Sequence, residues 1–347
     1  MTCYPSGSFG IGAVVASRVK TDQHDVDVVL ELDLPIETPP AVVLDLLHRA
    51  IKGDPGSAYY TKVRQNSRCV TVHYEDGVSV DLMPIVRDQS GVEKTGVLFH
   101  SKDGTSFVKP VNPYGFKTYY NDTVKLDPTF ARSFRDRVVL VEKALVEPME
   151  QPVRLEEKSP RTVAVQLLKR FRDVRFRADA RKNLRKPPSV VLAALALEKP
   201  GALPSVLAEL ISVAEHIRLR LVAADQAGEL IVVRNPAFQP DVFSDRWPAN
   251  VWDQRLFAGD LDHLVKGLRD LASGSFSPGT AKAILKDLFG ETAADYAVGA
   301  YMEQRTADAQ RGQQKFGMTG ALLTGSIAAS SSRAGVRSST DFGGPEA

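Results

Sequence analysis

The run His24-Asp25-Val26-Asp27-Val28-Val29-Leu30-Glu31-Leu32 decides the fold. It is rich in β-branched and apolar residues, and its two aspartates stand two apart. In a strand, residues two apart share a face. Asp25 and Asp27 therefore point to one side, while Val26 and Val28 point into a core behind them. The pattern predicts a strand that presents a pair of carboxylates.

Downstream, Ser67 to Tyr74 and Val78 to Val86 read as two further strands, joined by the hairpin signal Glu75-Asp76-Gly77. The second of these carries Asp81. A neighbouring antiparallel strand is expected to bring Asp81 alongside Asp25 and Asp27. Upstream lies Ser6-Gly7-Ser8-Phe9-Gly10-Ile11-Gly12. Glycine lets backbone N–H groups approach an anion, and a helix starting there adds its positive end. Ser8 offers a hydroxyl to a β- or γ-phosphate.

Alone, a Gly-Ser pair is an ordinary loop, and an isolated Asp-x-Asp is an ordinary solvated strand edge. Together they describe a chemistry. Hard divalent cations prefer carboxylate and phosphate oxygens. Two such ions about 4 Å apart clamp the attacking and leaving oxygens of an in-line displacement. The combination predicts a metal-dependent nucleotidyl-transfer centre. Asp25, Asp27 and Asp81 are its catalytic and metal-ligating candidates, with Gly7 and Ser8 at the phosphates.

Composition is compatible with such an enzyme. The 347 residues suffice for two packed domains. With 44 Lys+Arg against 42 Asp+Glu, the chain has no global nucleic-acid-binding charge, so nucleic acid is not required as a partner. Two cysteines, Cys3 and Cys69, offer no disulfide framework and fit a reducing compartment. No apolar run approaches the roughly 20 residues of a membrane span, and no signal peptide is read. The expected location is the cytoplasm, without a membrane.

The period of the pattern changes along the chain. Residues 1–125 read as an α+β palm, with strand-like runs at 26–32, 68–74, 78–86 and 95–99 and a helix over 40–52. Residues 126–310 read as helical, with helices at 130–146, 161–176, 189–197, 205–225, 261–272, 280–289 and 291–305. The Gly/Ser/Ala-rich segment 311–347 is expected to be disordered. In the helix over 161–176, Ala164, Leu167, Leu168, Phe171 and Val174 form one apolar stripe, and Lys169 and Asp173 lie off it. A dense basic run, Arg170 to Lys186, reads as a solvated face or as a surface for acidic nucleotides. Trp247 and Trp252 are expected to pack the distal helices, and Tyr119-Tyr120 to be core or lid packing.

Gly-Ser, a gap, Asp-x-Asp at a strand start and a later strand Asp resemble the polymerase β-type nucleotidyltransferase superfamily. The finer resemblance is to the bacterial cGAS/DncV-like nucleotidyltransferases, or CD-NTases. It extends over most of residues 1–305 and includes Val78–Val86, Lys109–Gly115, Val163–Asp173 and Asn235-Pro236 through Arg246-Trp247-Pro248. It implies a polymerase β-like palm with a mixed sheet, an α-helical C-terminal domain and a central cleft between two lobes. It implies two Mg2+ ions, with Mn2+ an alternative, and NTP substrates, ATP and/or GTP. It also implies synthesis of a cyclic di- or trinucleotide in anti-phage (CBASS) signalling.

Under the same resemblance Lys169 meets the triphosphate; its other reading is a solvated lysine. Ser189 is either a phosphate contact or a helix cap. A regulatory partner, or a partner conjugated at the C-terminus, is compatible with it. Two departures stand out. Only a few residues precede the Gly-Ser turn, as if the chain were truncated or its start misassigned, and Ala13 stands where the family often has Thr. The alternatives are an antibiotic or protein nucleotidyltransferase on the same palm, or a non-catalytic nucleotide sensor.

Overall fold

A computed structural model describes residues 2–15, 24–75, 77–88, 91–125, 158–273, 277–310, 315–316 and 322–323. The chain divides into two compact units, residues 1–275 and 276–347.

The first unit is organised by a seven-stranded sheet. Strands β1 (Thr2–Pro5), β2 (His24–Leu32), β3 (Val63–Gln65), β4 (Val70–His73) and β5 (Val78–Arg87) lie in the order β1-β2-β5-β4-β3. Strands β6 (Gly96–Lys102) and β7 (Thr105–Val111) continue from β5 as an antiparallel pair. The antiparallel pairing expected for Asp81's strand is corrected. β2 and β5 are parallel, with Asp27 opposite Asp81. The connection between them passes through helix α2 (Pro40–Lys52) and the β3–β4 hairpin, which is long enough for a crossover. β4 and β5, the two strands expected to flank the hairpin signal, do pair antiparallel.

α2 matches its predicted bounds. Pro at its first position suits the fixed φ of proline, and Gly53 ends it with φ +67. It buries Val43, Leu44 and Leu47 on one sheet face, where Leu47 meets Leu30, Val70, Val28 and Leu82. The opposite face holds Tyr4, Val29, Ile85, Leu98 and Val111, with Met83 and Tyr114 against them. The alternation of β2 thus supplies both cores.

The stretch Lys109–Gly115, one of those that carry the resemblance, is the end of β7 followed by helix α3 (Pro113–Thr123). β7 is an exposed edge strand containing Pro110, so it shows no apolar alternation. Asn112 caps α3, its Oδ1 accepting from Gly115 N at 2.6 Å, and Pro113 opens it.

Helices follow: α4 (Pro160–Arg175), α5 (Ser189–Leu197), α6 (Val206–Gln226) and α7 (Val251–Ser273). Ser159 and Ser205 cap α4 and α6 by accepting from backbone N–H groups three residues on. α7 begins ten residues before the expected helix over 261–272. Its early turns bury Asp253, Gln254 and Asp260, which hides the apolar period. A small hairpin, β8 (Arg234–Asn235) and β9 (Phe238–Val242), lies between α6 and α7. Trp247 is buried and meets Phe257 edge-on, whereas Trp252 is exposed and does not pack as expected. Tyr120 is buried and Tyr119 exposed.

The second unit contains α8 (Pro278–Phe289) and α9 (Glu291–Gln310), separated by Gly290 and tied by Lys282–Asp295 and Lys286–Glu291 ion pairs. Lys315–Phe316 pairs with Leu322–Leu323 where no order was expected. The helix expected over 130–146 and the rest of the 311–347 segment lie outside the described residues. Among the described residues no helix is long and apolar enough to cross a membrane.

Candidate active site

The site starts at the register of β2, β5 and β4. Asp27 lies opposite Asp81, and Asp81 lies opposite Thr71. One row along, Asp25 lies opposite Ser79. Directly opposed residues share a sheet face, so the three carboxylates stand on one surface. Each outer acid has a hydroxyl neighbour: Ser79 donates to Asp25 at 2.5 Å, and Thr71 donates to Asp81. Thr71 in turn accepts from Asn66 at 2.7 Å. Among the described residues no three His, Cys, Asp or Glu side chains stand ready-made as metal ligands.

The chain from β1 turns against this row. Ser6 N donates to the Asp27 carbonyl at 2.9 Å. Gly7 follows with φ +53, opening the one-turn helix α1 (Gly7–Gly10). A β-carbon at Gly7 would lie 2.0 Å from Asp27 Oδ2. Only glycine lets the backbone pass this close to the carboxylate.

Lys169 projects from α4 to the same place. Its ammonium donates to Ser8 Oγ at 2.7 Å and to the Ala13 carbonyl at 2.6 Å. It is buried, so the solvated-lysine reading is wrong. Arg161, Lys169 and Arg172 are all buried on α4, because this helix packs on more than its apolar stripe.

Ser189 is the first residue of α5, and its side chain does not cap the helix. It accepts instead from Arg172 at 3.1 Å, while the same Arg172 nitrogen donates to the Pro187 carbonyl at 2.7 Å.

All seven sequence-selected residues, Gly7, Ser8, Asp25, Asp27, Asp81, Lys169 and Ser189, line one cleft of about 930 Å³. The basic run is largely structural. Arg175 and Arg181 both bind buried Asp260 on α7, and Lys186 and Arg172 bind Asp173. This fastens the loop that carries Arg185 and Lys186 to the cleft wall.

Electrostatics express the crowding. Burial, then Asp81 and Asp25, push the Asp27 carboxyl up from 3.8 to about 6, against Lys169 and the Ser8 N–H. Burial, then Arg172, lower Lys169 from 10.5 to about 7, against Asp173 and Asp27. An acid wanting a cation thus faces a buried lysine across the Gly7–Ser8 turn.

Residue-by-residue reading missed the far wall. Lys109 bridges Asp241 and Asp245 at 3.4 Å each, and Arg68 meets Asp245 at 2.6 Å. Asn235 donates to the Asn112 carbonyl at 2.8 Å, which locks the β8–β9 hairpin to the sheet. The sequence signals for this wall were the resembling Lys109–Gly115, Asn-Pro and Arg-Trp segments.

A polymerase β-like palm with a carboxylate-lined cleft is the class that this fold and site define. Residues 2–98 match the family described as the Second Messenger Oligonucleotide or Dinucleotide Synthetase domain. The chain is 31% identical over 332 residues to the cyclic dinucleotide synthase CdnG of Bradyrhizobium diazoefficiens, covering 92% of this chain and 77% of that protein. The solved CdnG structure, in complex with GTP, superposes with TM-score 0.72 at 29% identity, over 86% of this chain and 85% of that one. Apo DncV of Vibrio cholerae gives TM-score 0.52 at 15% identity, over 86% and 70% of the two chains. The E. coli CdnC:HORMA complex gives 0.53 at 16%, over 84% and 83%. The last two are likenesses of fold alone. The chain belongs to the CD-NTase family of nucleotidyltransferases that synthesise cyclic oligonucleotide second messengers.

Proposed function

We propose that this chain joins two nucleoside triphosphates, releases pyrophosphate, and closes the linear product into a cyclic di- or trinucleotide for anti-phage (CBASS) signalling in a bacterial cytoplasm. The observation that carries the reading is the in-register Asp27–Asp81 pair facing Gly7, Ser8 and Lys169 in one cleft.

The acid cluster fits a hard divalent cation. Asp27 is raised by burial and by its two acidic neighbours, a repulsion that a counter-cation relieves. Asp25, Asp27 and Asp81 would hold two Mg2+ ions, or Mn2+ in their place, which would supply charge neutralisation at the reacting phosphate and a lowered pKa for the attacking hydroxyl.

The chain's own groups do the positioning. The Ser8 hydroxyl and the Gly7 backbone hold the donor's terminal phosphates. Lys169 exchanges Ser8 and the Ala13 carbonyl for a phosphate oxygen, and phosphate charge restores its proton. Ser189, at the start of α5, offers a second hydroxyl to the same cleft. Asp81, oriented by Thr71, takes the proton of the attacking ribose hydroxyl. Holding donor and acceptor in one frame supplies most of the remaining acceleration.

CdnG's complex with GTP supports NTP substrates, ATP and/or GTP. CdnC's complex with HORMA supports a regulatory protein partner. Incubating the chain with the four NTPs and Mg2+, followed by mass spectrometry, tests the proposal. A phosphatase-resistant cyclic nucleotide is expected from wild type and none from the Asp25→Ala/Asp27→Ala variant. Undiminished turnover in that variant refutes the assignment.

A further inference from the structure

Arg68 stands at the tip of the β3–β4 hairpin, where Asn66 N donates to the Cys69 carbonyl at 2.8 Å. β6 grips this tip at two points. Ser101 N donates to the Ser67 carbonyl at 2.9 Å, and His100 Nδ1 accepts from Arg68 Nε at 3.1 Å. Phe107 of β7 lies against both side chains. Its ring stacks on the imidazole with centroids 4.5 Å apart, and the Arg68 guanidinium stands 5.9 Å from its centre. With Nε held this way, a second nitrogen of the rigid guanidinium reaches Asp245 at 2.6 Å.

Asp241, Phe243, Asp245 and Arg246 line the cleft. The Asp241 end of this segment is buried and receives the Asn112 N–H and the Asn235 amide at 3.2 Å each. The Asp245 end is held by Arg68 at 2.6 Å and by Lys109 at 3.4 Å. Arg68 thus makes the shorter of these two contacts to the palm. Its aim depends on an unprotonated Nδ1, because a guanidinium only donates. A protonated imidazole has no lone pair to offer and sets a second cation against Arg68. The charged groups facing His100 are Arg68 from the hairpin tip, Arg246 and Asp245 from the segment after β9, and Lys102 from β6 itself. Burial, then Arg68 and Arg246, hold the imidazole below its ordinary 6.5, against Asp245.

We propose that His100 is a positioning residue for nucleotidyl transfer: its neutral imidazole aims Arg68 at Asp245 and so fastens the cleft wall after β9 to the palm, and its protonation releases that end of the wall. The inference rests on the phosphodiester-forming reaction proposed above. The buried Asp241 end stays attached through Asn112 and Asn235, so the release loosens the cleft without unfolding it.

The test measures pyrophosphate release by the full chain with the four NTPs and Mg2+, from about pH 5 to about pH 8, a range that spans histidine titration. His100→Asn places an amide oxygen near the Nδ1 position, an acceptor that does not titrate. His100→Phe keeps a ring against Phe107 and offers no acceptor. At about pH 8, His100→Asn is expected to stay within roughly threefold of wild type in kcat/KM, and His100→Phe to fall by roughly tenfold, the scale of one charge-assisted hydrogen bond. Towards about pH 5, wild type should lose roughly threefold or more relative to His100→Asn. Metal and phosphate groups titrate alike in both chains, so the ratio isolates position 100. Thermal melting checks that the variants fold. A ratio of wild type to His100→Asn that stays constant with pH, or a His100→Phe variant with wild-type kcat/KM, overturns this inference alone. A wild type that releases no pyrophosphate at any pH overturns the reaction reading as well.

Discussion

Asp27 and Asp81 are direct register partners on two parallel strands. Parallel pairing carries both strands in the same direction, so their acids emerge at the same height on one face. Asp25, two residues back on β2, adds a third carboxylate to that face. The remainder of the site is arranged around this pair.

Gly7 is held at φ +53 with its α-carbon hydrogens facing the Asp27 carboxylate. Gly7→Ala is expected to cost about 1–3 kcal/mol in backbone strain. It should also displace Asp27 and lower pyrophosphate release by at least roughly tenfold. Thermal melting and a pyrophosphate assay on the same preparation separate the two effects. Normal turnover in this variant would show that the close approach is irrelevant to the chemistry.

The raised Asp27 pKa makes the metal-free protein sensitive to pH. Between 3.8 and about 6 the unfolded chain has lost this proton and the folded chain retains it. The Asp27 contribution to stability therefore falls as pH rises through that window, and the loss is complete above the folded pKa. A shift of about 2 units corresponds to about 3 kcal/mol. In chelator, the melting difference between wild type and Asp27→Asn should grow in favour of the variant from pH 4 to 6. A constant difference over that range contradicts the assignment.

Thr71 is a positioning residue: it donates to Asp81 and accepts from Asn66. Thr71→Val keeps the shape and removes the hydroxyl, leaving a lost hydrogen bond worth about 1 kcal/mol of stability. The expected effect on kcat is larger, roughly tenfold, with KM for NTP little changed. Thr71→Ser should restore most of the rate. Steady-state kinetics on the two variants decides the matter.

Arg161 and Glu209 form a buried ion pair between α4 and α6. Arg161 also donates to the Ala196 and Lys199 carbonyls at 2.8 Å each, and to the Gly201 carbonyl, closing the end of α5. Removing one partner leaves the other charge buried and unpaired. Arg161→Ala is expected to destabilise by about 3–5 kcal/mol in denaturant melts. A loss within 1 kcal/mol would mean that the helices are fastened elsewhere.

Much of the catalytic face was legible in the sequence. The Asp25–Asp27 spacing, the Asp81 strand, the Gly7–Ser8 turn and α2 all rest on local patterns, which survive without knowledge of the rest of the chain. β7 was not legible, because an exposed edge strand has no alternation to show. The beginning of α7 was hidden by its buried Asp253, Gln254 and Asp260. Lys169 and Arg172 looked like surface residues, since their partners are about 160 residues away in one case and on the next helix in the other.

By itself the sequence singled out the candidates for holding phosphate and metal, because residue type and period-two spacing fix chemistry and facing locally. Only the tertiary structure decided that β2 and β5 run parallel, that Lys169 is buried against Ser8, and that His100 meets Arg68. Strand direction and register depend on the path of the connecting chain and on packing between distant elements. Neither is encoded in any short run of residues.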